Sequence, residues 1–398
     1  METYKIALSA GDGIGEELVL QAKKALMALE QSFEVAFEIV DLLSCGSAID
    51  AYGTAIRDED IEAALGCRGI LFGNIGDAQK VSEDPKLSPV YALTSMRKAF
   101  QVCTNTRPVR ILPETASLSP LKESITAQGM DILIVRDLMG GMIAGERHRW
   151  HGIYGEEASD LEHYTEDMIR HSAELAFRAA QSRKKKLTSV DKANVLYSGK
   201  LWRKTVNDVG AGYPDVQLTH HYVDNAAMEL LVHPSDFDVV LASNVFGDIL
   251  ADEISQISGT PWLFGSAKLA MDGRGVYTPN QLHHPNGIQW AGKGIASPYG
   301  ILDATSLFLR YSCGRNDLAD AVDTAIQHTI RNRMFTREAS PPGSMLCPTD
   351  ELGDYVAENI RSGKDLSGFK YSRRTHSQPK RLRVRSLIFC VSYAGWIN

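Results

Sequence analysis

No two cysteines stand in a C-x-x-C pair: Cys45, Cys67, Cys103, Cys313, Cys347 and Cys390 are scattered along 398 residues. That scatter argues against a zinc site or a disulfide framework and fits a reducing compartment. Apolar runs long enough to span a bilayer are also missing, and Met1-Glu2-Thr3-Tyr4-Lys5 lacks the pattern of a signal peptide. The expected location is the cytoplasm. Basic charge is not in surplus: the formal net charge is −7. The last thirty residues, from Phe369, hold seven Lys/Arg and no Asp/Glu, so the rest is more acidic still. An acidic body argues against nucleic acid as the main partner. The dinucleotide fingerprint G-x-G-x-x-G is absent as well. Gly11-Asp12-Gly13-Ile14-Gly15 comes near it, but the third glycine should fall where Glu16 stands. These five residues read as a tight turn needing positive φ.

What is present is an apolar content of 44%, enough to core two or three domains. Buried-strand patterns fall at 5–9, 69–72, 131–135, 187–190 and 237–242. Helical periodicity falls at 16–29, 165–182, 306–311, 318–331 and 349–360. Strands alternating with helices predict an α/β fold.

The strongest chemical signal is Asn244-Val245-Phe246-Gly247-Asp248-Ile249-Leu250-Ala251-Asp252. A helix starting near Gly247 places Asp248 and Asp252 on one face. Two such carboxylates suit a hard cation, Mg²⁺ or Mn²⁺, although a solvated acidic face is the commoner origin of the spacing. Here the helix follows an apolar strand, and α/β folds collect ligands at the carboxyl ends of strands. Asp224, in His221-Tyr222-Val223-Asp224-Asn225, is a third candidate carboxylate. Arg97, Arg107 and Arg136 stand beside strand or loop endings. Singly, each reads as a surface residue. Together they suit a di- or tricarboxylate, because guanidinium forks bind carboxylates bidentately. Lys192 directly follows an apolar strand and reads either as a surface residue or as a buried base.

These segments, with Asn105-Thr106-Arg107-Pro108 and Ala291-Gly292-Lys293-Gly294-Ile295-Ala296, resemble the β-decarboxylating dehydrogenases from about residue 5 to about residue 360. That family includes isopropylmalate, isocitrate, homoisocitrate and tartrate/D-malate dehydrogenases. The resemblance implies an isopropylmalate/isocitrate dehydrogenase-like α/β fold of two domains, distinct from the Rossmann fold. Residues 1–102 plus 259–363 would form the cofactor-side domain. Residues 103–258 would form the metal, substrate and dimer side, and 364–398 a loosely ordered basic extension. It further implies a homodimer with shared active sites, no membrane span, and a small di- or tricarboxylate substrate. Arg97, Arg107 and Arg136 would clamp the malate carboxylates, with Leu93 and Thr94 on the specificity helix. Asp248 and Asp252 would bind the metal, joined by Asp224 of the partner subunit. Lys192, also from the partner, would serve with Asp224 as the catalytic base relay. NAD, or NADP, would lie near Asn194, His283, His284, Gln289, Trp290 and Ser297. The implied activity is NAD(P)- and Mg²⁺- or Mn²⁺-dependent oxidative decarboxylation of a 3-substituted D-malate. Its alternatives are tartrate/D-malate-type or non-decarboxylating oxidation of a modified malate, and a catalytically impaired regulatory paralogue.

Three departures from the family pattern stand out. Where the family has its tyrosine acid, in Gly141-Met142-Ile143-Ala144-Gly145-Glu146, this chain has Ile143, which carries no transferable proton. His148 or Tyr154 would be substitutes, as would water. Gln289 stands where an aspartate would hold the adenosine ribose, which removes the usual reason for NAD preference. Thr94 stands where isopropylmalate enzymes have a second leucine, and Asp77-Ala78-Gln79-Lys80 is similar to the tartrate/D-malate branch.

Overall fold

A computed structural model describes residues 2–76, 82–280, 283–284 and 286–363. The expected basic extension at 364–398, the segment Asp77-Ala78-Gln79-Lys80, and Gln281, Leu282 and Pro285 lie outside the described residues. The longer strands are β1 Glu2–Gly11, β2 Val35–Leu42, β3 Gly69–Asn74, β4 Val102–Ile111, β5 Met130–Asp137, β6 Arg147–Gly152, β7 Gly155–Asp160, β8 Lys186–Asp191, β9 Gln217–Tyr222, β10 Val239–Ala242, β11 Gly265–Ala270 and β12 Gly275–Pro279. Ten of them form one sheet in the order β2-β1-β3-β12-β11-β4-β5-β10-β8-β9. Its outer pairs are parallel, whereas β12–β11, β11–β4 and β4–β5 are antiparallel. The order and the antiparallel centre both separate this sheet from the Rossmann type.

Alternation along each strand explains why helices cover both faces. Ile6 and Leu8 enter one apolar cluster and Ala7 another. Likewise Ile132 and Ile134 point one way, and Leu133 and Val135 the other. The Glu166–Gln181 helix shows how local sequence sets a boundary. The Thr165 side chain accepts from Met168 N at 3.3 Å, and Glu166 and Asp167 occupy the first turn. Ile169, Ala173, Ala176, Phe177 and Ala180 then pack onto Leu133, Leu187, Val239 and Leu241. β4 contains Pro108, which can donate no ladder hydrogen bond. Its pairing with β11 ends at Thr106, so the missing donor falls on a free stretch of that edge. No helix among the described residues is long and apolar enough to cross a membrane.

Asp303 joins the Tyr299–Tyr311 helix to β11, accepting from Gly265 N at 2.6 Å. Burial, and then Asp323, raise its pKa from the ordinary 3.8 to about 7. The folded protein therefore holds this proton more tightly than the unfolded chain does. Stability falls as pH rises through that window and stays reduced above it. Asp303→Asn keeps the acceptor and removes the charge. Its expected effect is a Tm higher by about 2 °C at pH 8 and by less than half of that at pH 5, read by thermal unfolding at both pH values. An equal shift at both would contradict this assignment.

Candidate active site

The Asn244–Ile257 helix begins three residues earlier than its sequence suggests, at Asn244. Leu250, Ala251, Ile254 and Ile257 face the core, which turns Asp248 and Asp252 outward on successive turns. Gly247 lets the first turn approach β5: a Cβ there would lie 2.8 Å from Arg136 Cγ. Asp248 takes a hydrogen bond from Arg136 Nη1. Asp252 takes one from Arg107 Nη1 of β4 at 2.7 Å. Asn244 fixes the other side of the Arg136 guanidinium, with its Oδ1 accepting from Nε at 3.1 Å and Nη2 at 2.8 Å. Asn244 is itself held by its Nδ2 donating to Gly140 O at 2.9 Å, while its backbone N donates to Tyr164 Oη at 2.8 Å.

Arg97, on the Val90–Ala99 helix, completes the cationic group. Burial lowers its pKa to about 10, helped by Arg136 and Arg107 and opposed by Asp248. Burial also lowers Arg136, with Asp248 opposing. Both guanidinium groups stay charged at neutral pH. The Nε atoms of Arg97 and Arg107 are buried without an acceptor among the described residues. Like-charged side chains held this close call for anions. The two aspartates supply some of that charge, and the free donors can take more from a carboxylate ligand.

The chain places Lys192 and Asp224 together, with Nζ donating to Oδ1. That bond is the first cause of the lowered Asp224 pKa. The loop carrying Lys192 is anchored by buried Asp191, which accepts from Ala193 N at 2.9 Å and from Arg203 Nε and Nη2 at 2.8 and 2.9 Å. Asn194 is exposed on the same loop. Among the described residues no three His, Cys, Asp or Glu side chains come together as a metal site within one chain. Asp248 and Asp252 alone offer two hard oxygen donors from one helical face. That set fits Mg²⁺ or Mn²⁺ when substrate, water or a second chain supplies the remaining oxygens.

In the cofactor segment, His284 is buried. Its Nε2 meets Glu338 Oε1 at 2.5 Å, and its ring lies 4.8 Å from that of Trp290. Ser297 N donates to Glu338 Oε2 at 2.5 Å, while Ser297 Oγ is buried without a partner among the described residues. His283 Nδ1 lies 3.0 Å from Ile75 O, and Gln289 is exposed. The orphaned hydroxyl, the exposed amide and the indole are groups that suit an adenosine ribose and ring. The expected tight turn is present, with φ of 69° at Gly11 and 58° at Gly13. A Cβ on Gly13 would meet Gly287 O at 2.4 Å, so the turn packs directly onto the cofactor segment.

On the specificity helix, Thr94 is exposed and its Oγ1 bonds back to Tyr91 O at 3.1 Å. Leu93 packs into the apolar cluster with Ala92, Met96 and Phe100. Ile143 is 41% exposed on the short Gly141–Ala144 helix. His148 lies on the exposed β6–β7 hairpin, and Tyr154 sits at its tip, 92% exposed. Within one chain neither contacts the arginines. Lys268, Glu338, Arg203 and Tyr164 join the site only through the fold. Of these, Lys268 alone carried a signal, a lysine inside an apolar stretch ahead of Gly275–Pro279.

Residues 5–356 match the family model of isocitrate/isopropylmalate dehydrogenase. The 3-isopropylmalate dehydrogenase of Wolinella succinogenes is 40% identical over 358 residues, covering 90% of this chain and 98% of that one. The 3-isopropylmalate dehydrogenase of Syntrophotalea carbinolica is 41% identical over 367 residues, covering 90% and 99%. Among solved structures, isocitrate dehydrogenase from Methylococcus capsulatus superposes with a TM-score of 0.72 at 24% identity, covering 90% of this chain and 99% of that one, a likeness of fold. With this sheet and these charged groups in place, the chain belongs to the isocitrate/isopropylmalate dehydrogenase family of β-decarboxylating dehydrogenases.

Proposed function

We propose that the protein catalyses NAD(P)- and divalent-metal-dependent oxidative decarboxylation of a 3-isopropylmalate-like 2-hydroxy diacid. The observation that carries this reading is the interlocked set of Arg107 with Asp252 and Arg136 with Asp248, with Arg97 beside them. Its three cations match two carboxylates, and its two acids match a cation. The named activity of the relatives agrees with it.

Arg97, Arg107 and Arg136 bind and orient the substrate carboxylates, which fixes C2 and C3. Asp248 and Asp252 would hold the metal, which would supply Lewis acidity to the substrate. Lys192 and Asp224 would take the proton of the C2 hydroxyl, and the nicotinamide when bound would supply the hydride acceptor. Asn194, His283, His284, Gln289, Trp290 and Ser297 hold the nicotinamide cofactor. Exposed Thr94, with Leu93 behind it, meets the C3 substituent.

Two active sites shared across a homodimer fit the separation of Asp224 from Asp248 and Asp252 within one chain. Apolar Met228, Leu231, Val232 and Ile249 are 59%, 43%, 52% and 62% exposed, and pairing two copies would cover them. The domain boundary is drawn at β11–β4. Strands from residues 1–102 and 259–363 fill one half of the sheet, and strands from β4 onward fill the other.

A substrate panel tests the reading. Purified protein with Mn²⁺ is offered 3-isopropylmalate, D-malate, tartrate, isocitrate and homoisocitrate with each nicotinamide cofactor. The highest kcat/KM is expected for 3-isopropylmalate. Failure of all five would contradict the proposal.

A further inference from the structure

Lys268 sits in the middle of β11, with Asn105 and Val276 as its register partners on β4 and β12. It is 2% exposed, yet no ion pair joins it to a carboxylate among the described residues. Its Nζ donates to Thr278 Oγ1 at 3.0 Å and lies 3.5 Å from Ser266 Oγ, which in turn donates to Asn105 Oδ1 at 2.8 Å. Asn105 and Arg107 alternate onto one face of β4, so Lys268 belongs to the face that carries the arginines. The charged and titratable groups around it are Arg97 from the specificity helix, Arg107 from β4, Arg136 from β5 and His283 from the segment after β12. A buried lysine is usually neutralised by an acid. This one is set among cations and hydroxyls, a surrounding that favours the free amine and binds an ammonium only when anions arrive.

Resting on the reading above, we propose that Lys268 is the proton donor to C3 of the enol(ate) left by CO₂ loss. Ile143 carries no proton for that step. A bound dicarboxylate brings two negative charges to the arginines, which favours uptake of a proton by the neighbouring amine. The C3–carboxylate bond then breaks, and its electron pair becomes the C2–C3 double bond of the enol(ate) as CO₂ leaves. CO₂ leaves as a neutral molecule and the negative charge stays on the enolate, where a proton from the ammonium discharges it. The Nζ–H bond breaks with its pair remaining on nitrogen. The C2–C3 π pair forms the new C3–H bond, and the C2 carbonyl is restored. Burial and the cations also depress the Lys268 pKa far below that of a free lysine, which brings its acidity toward the working pH of an acid catalyst.

The test uses full-length protein, with kcat, KM, pH profiles and thermal midpoints for four variants. Lys268→Met is expected to lower kcat about 100-fold while KM for the malate moves less than about threefold. Its rate at high pH should lose the decline that a wild-type acid group gives. Lys268→Arg keeps the positive charge but holds its proton, so it should fail in kcat as Lys268→Met does. Ile143→Tyr alone should change kcat less than about threefold. Added to Lys268→Met, it should restore kcat at least tenfold by supplying another acid. A Lys268→Met enzyme with kcat within threefold of wild type would overturn the proposal. So would Lys268→Arg at full rate, or no recovery in the double variant, either of which makes the lysine a structural charge. Wild-type protein without turnover on any malate would remove both readings; an active wild type confines a failure to this one.

Discussion

Asp248→Asn is expected to lower kcat/KM by at least about 10³-fold at a Mn²⁺ concentration that saturates the wild type. Asparagine keeps the size of the side chain and loses the anionic oxygens that a hard cation needs. Asp248 faces outward and its carboxylate is 45% exposed, so its pairing with Arg136 contributes little to stability and the variant should fold. Arg136 keeps its two contacts to Asn244 Oδ1, so substrate anchoring should suffer less than metal binding. Calorimetric titration of the free protein with Mn²⁺ separates the two effects. Metal affinity is expected to weaken by roughly 10- to 100-fold, and a chelator is expected to silence the wild type reversibly. A variant within fivefold of wild type in kcat/KM would show that Asp248 serves only as a partner for Arg136.

The second large effect is at Lys192. Lys192→Met should reduce kcat by about 10²- to 10⁴-fold, and Lys192→Arg should not rescue it, because a guanidinium does not release its proton near neutrality. The pair also tests whether sites are shared. Suppose Lys192 and Asp248 of one active site come from different subunits. Then exchanging subunits between silent Lys192→Met and Asp248→Asn dimers gives mixed dimers with one intact site of two. Random exchange should return roughly a quarter of wild-type activity. If both residues of a site come from one chain, every site in the mixture keeps one defect and no activity returns.

Much of the fold was legible because several of its interior strands are apolar on both faces. β3 and β10 are buried along their whole length and read as uninterrupted runs. β4 was not legible as a strand, because Thr104, Asn105, Thr106 and Arg107 point site chemistry into the interior and hide the alternation. The hairpin β6–β7 was missed for the opposite reason, since its side chains are mostly exposed and polar. The Tyr299–Tyr311 helix runs a full seven residues ahead of its predicted start at Ser306. Its first turns are buried on every side and leave no stripe to detect. At the site, Asp248 and Asp252 stood out by spacing and Arg107 by its motif. Their pairing across β4, β5 and the helix depends on sheet order, which local sequence does not carry. The signal at Lys268 was weak, because a single lysine in a strand reads as an edge or surface residue until burial is known. Glu338 acts on His284 across fifty-four positions of chain, and no local pattern announces that contact.

The most direct test of the central claim is the stoichiometry of a single reaction with 3-isopropylmalate and Mn²⁺. Reduced nicotinamide is read by absorbance, and CO₂ is captured from the same vessel. Equal amounts of both, throughout the progress curve, are predicted for a decarboxylating dehydrogenase that works with isoleucine at position 143. Reduced nicotinamide that accumulates without CO₂ would contradict the account and mark an oxidation that stops at the keto acid.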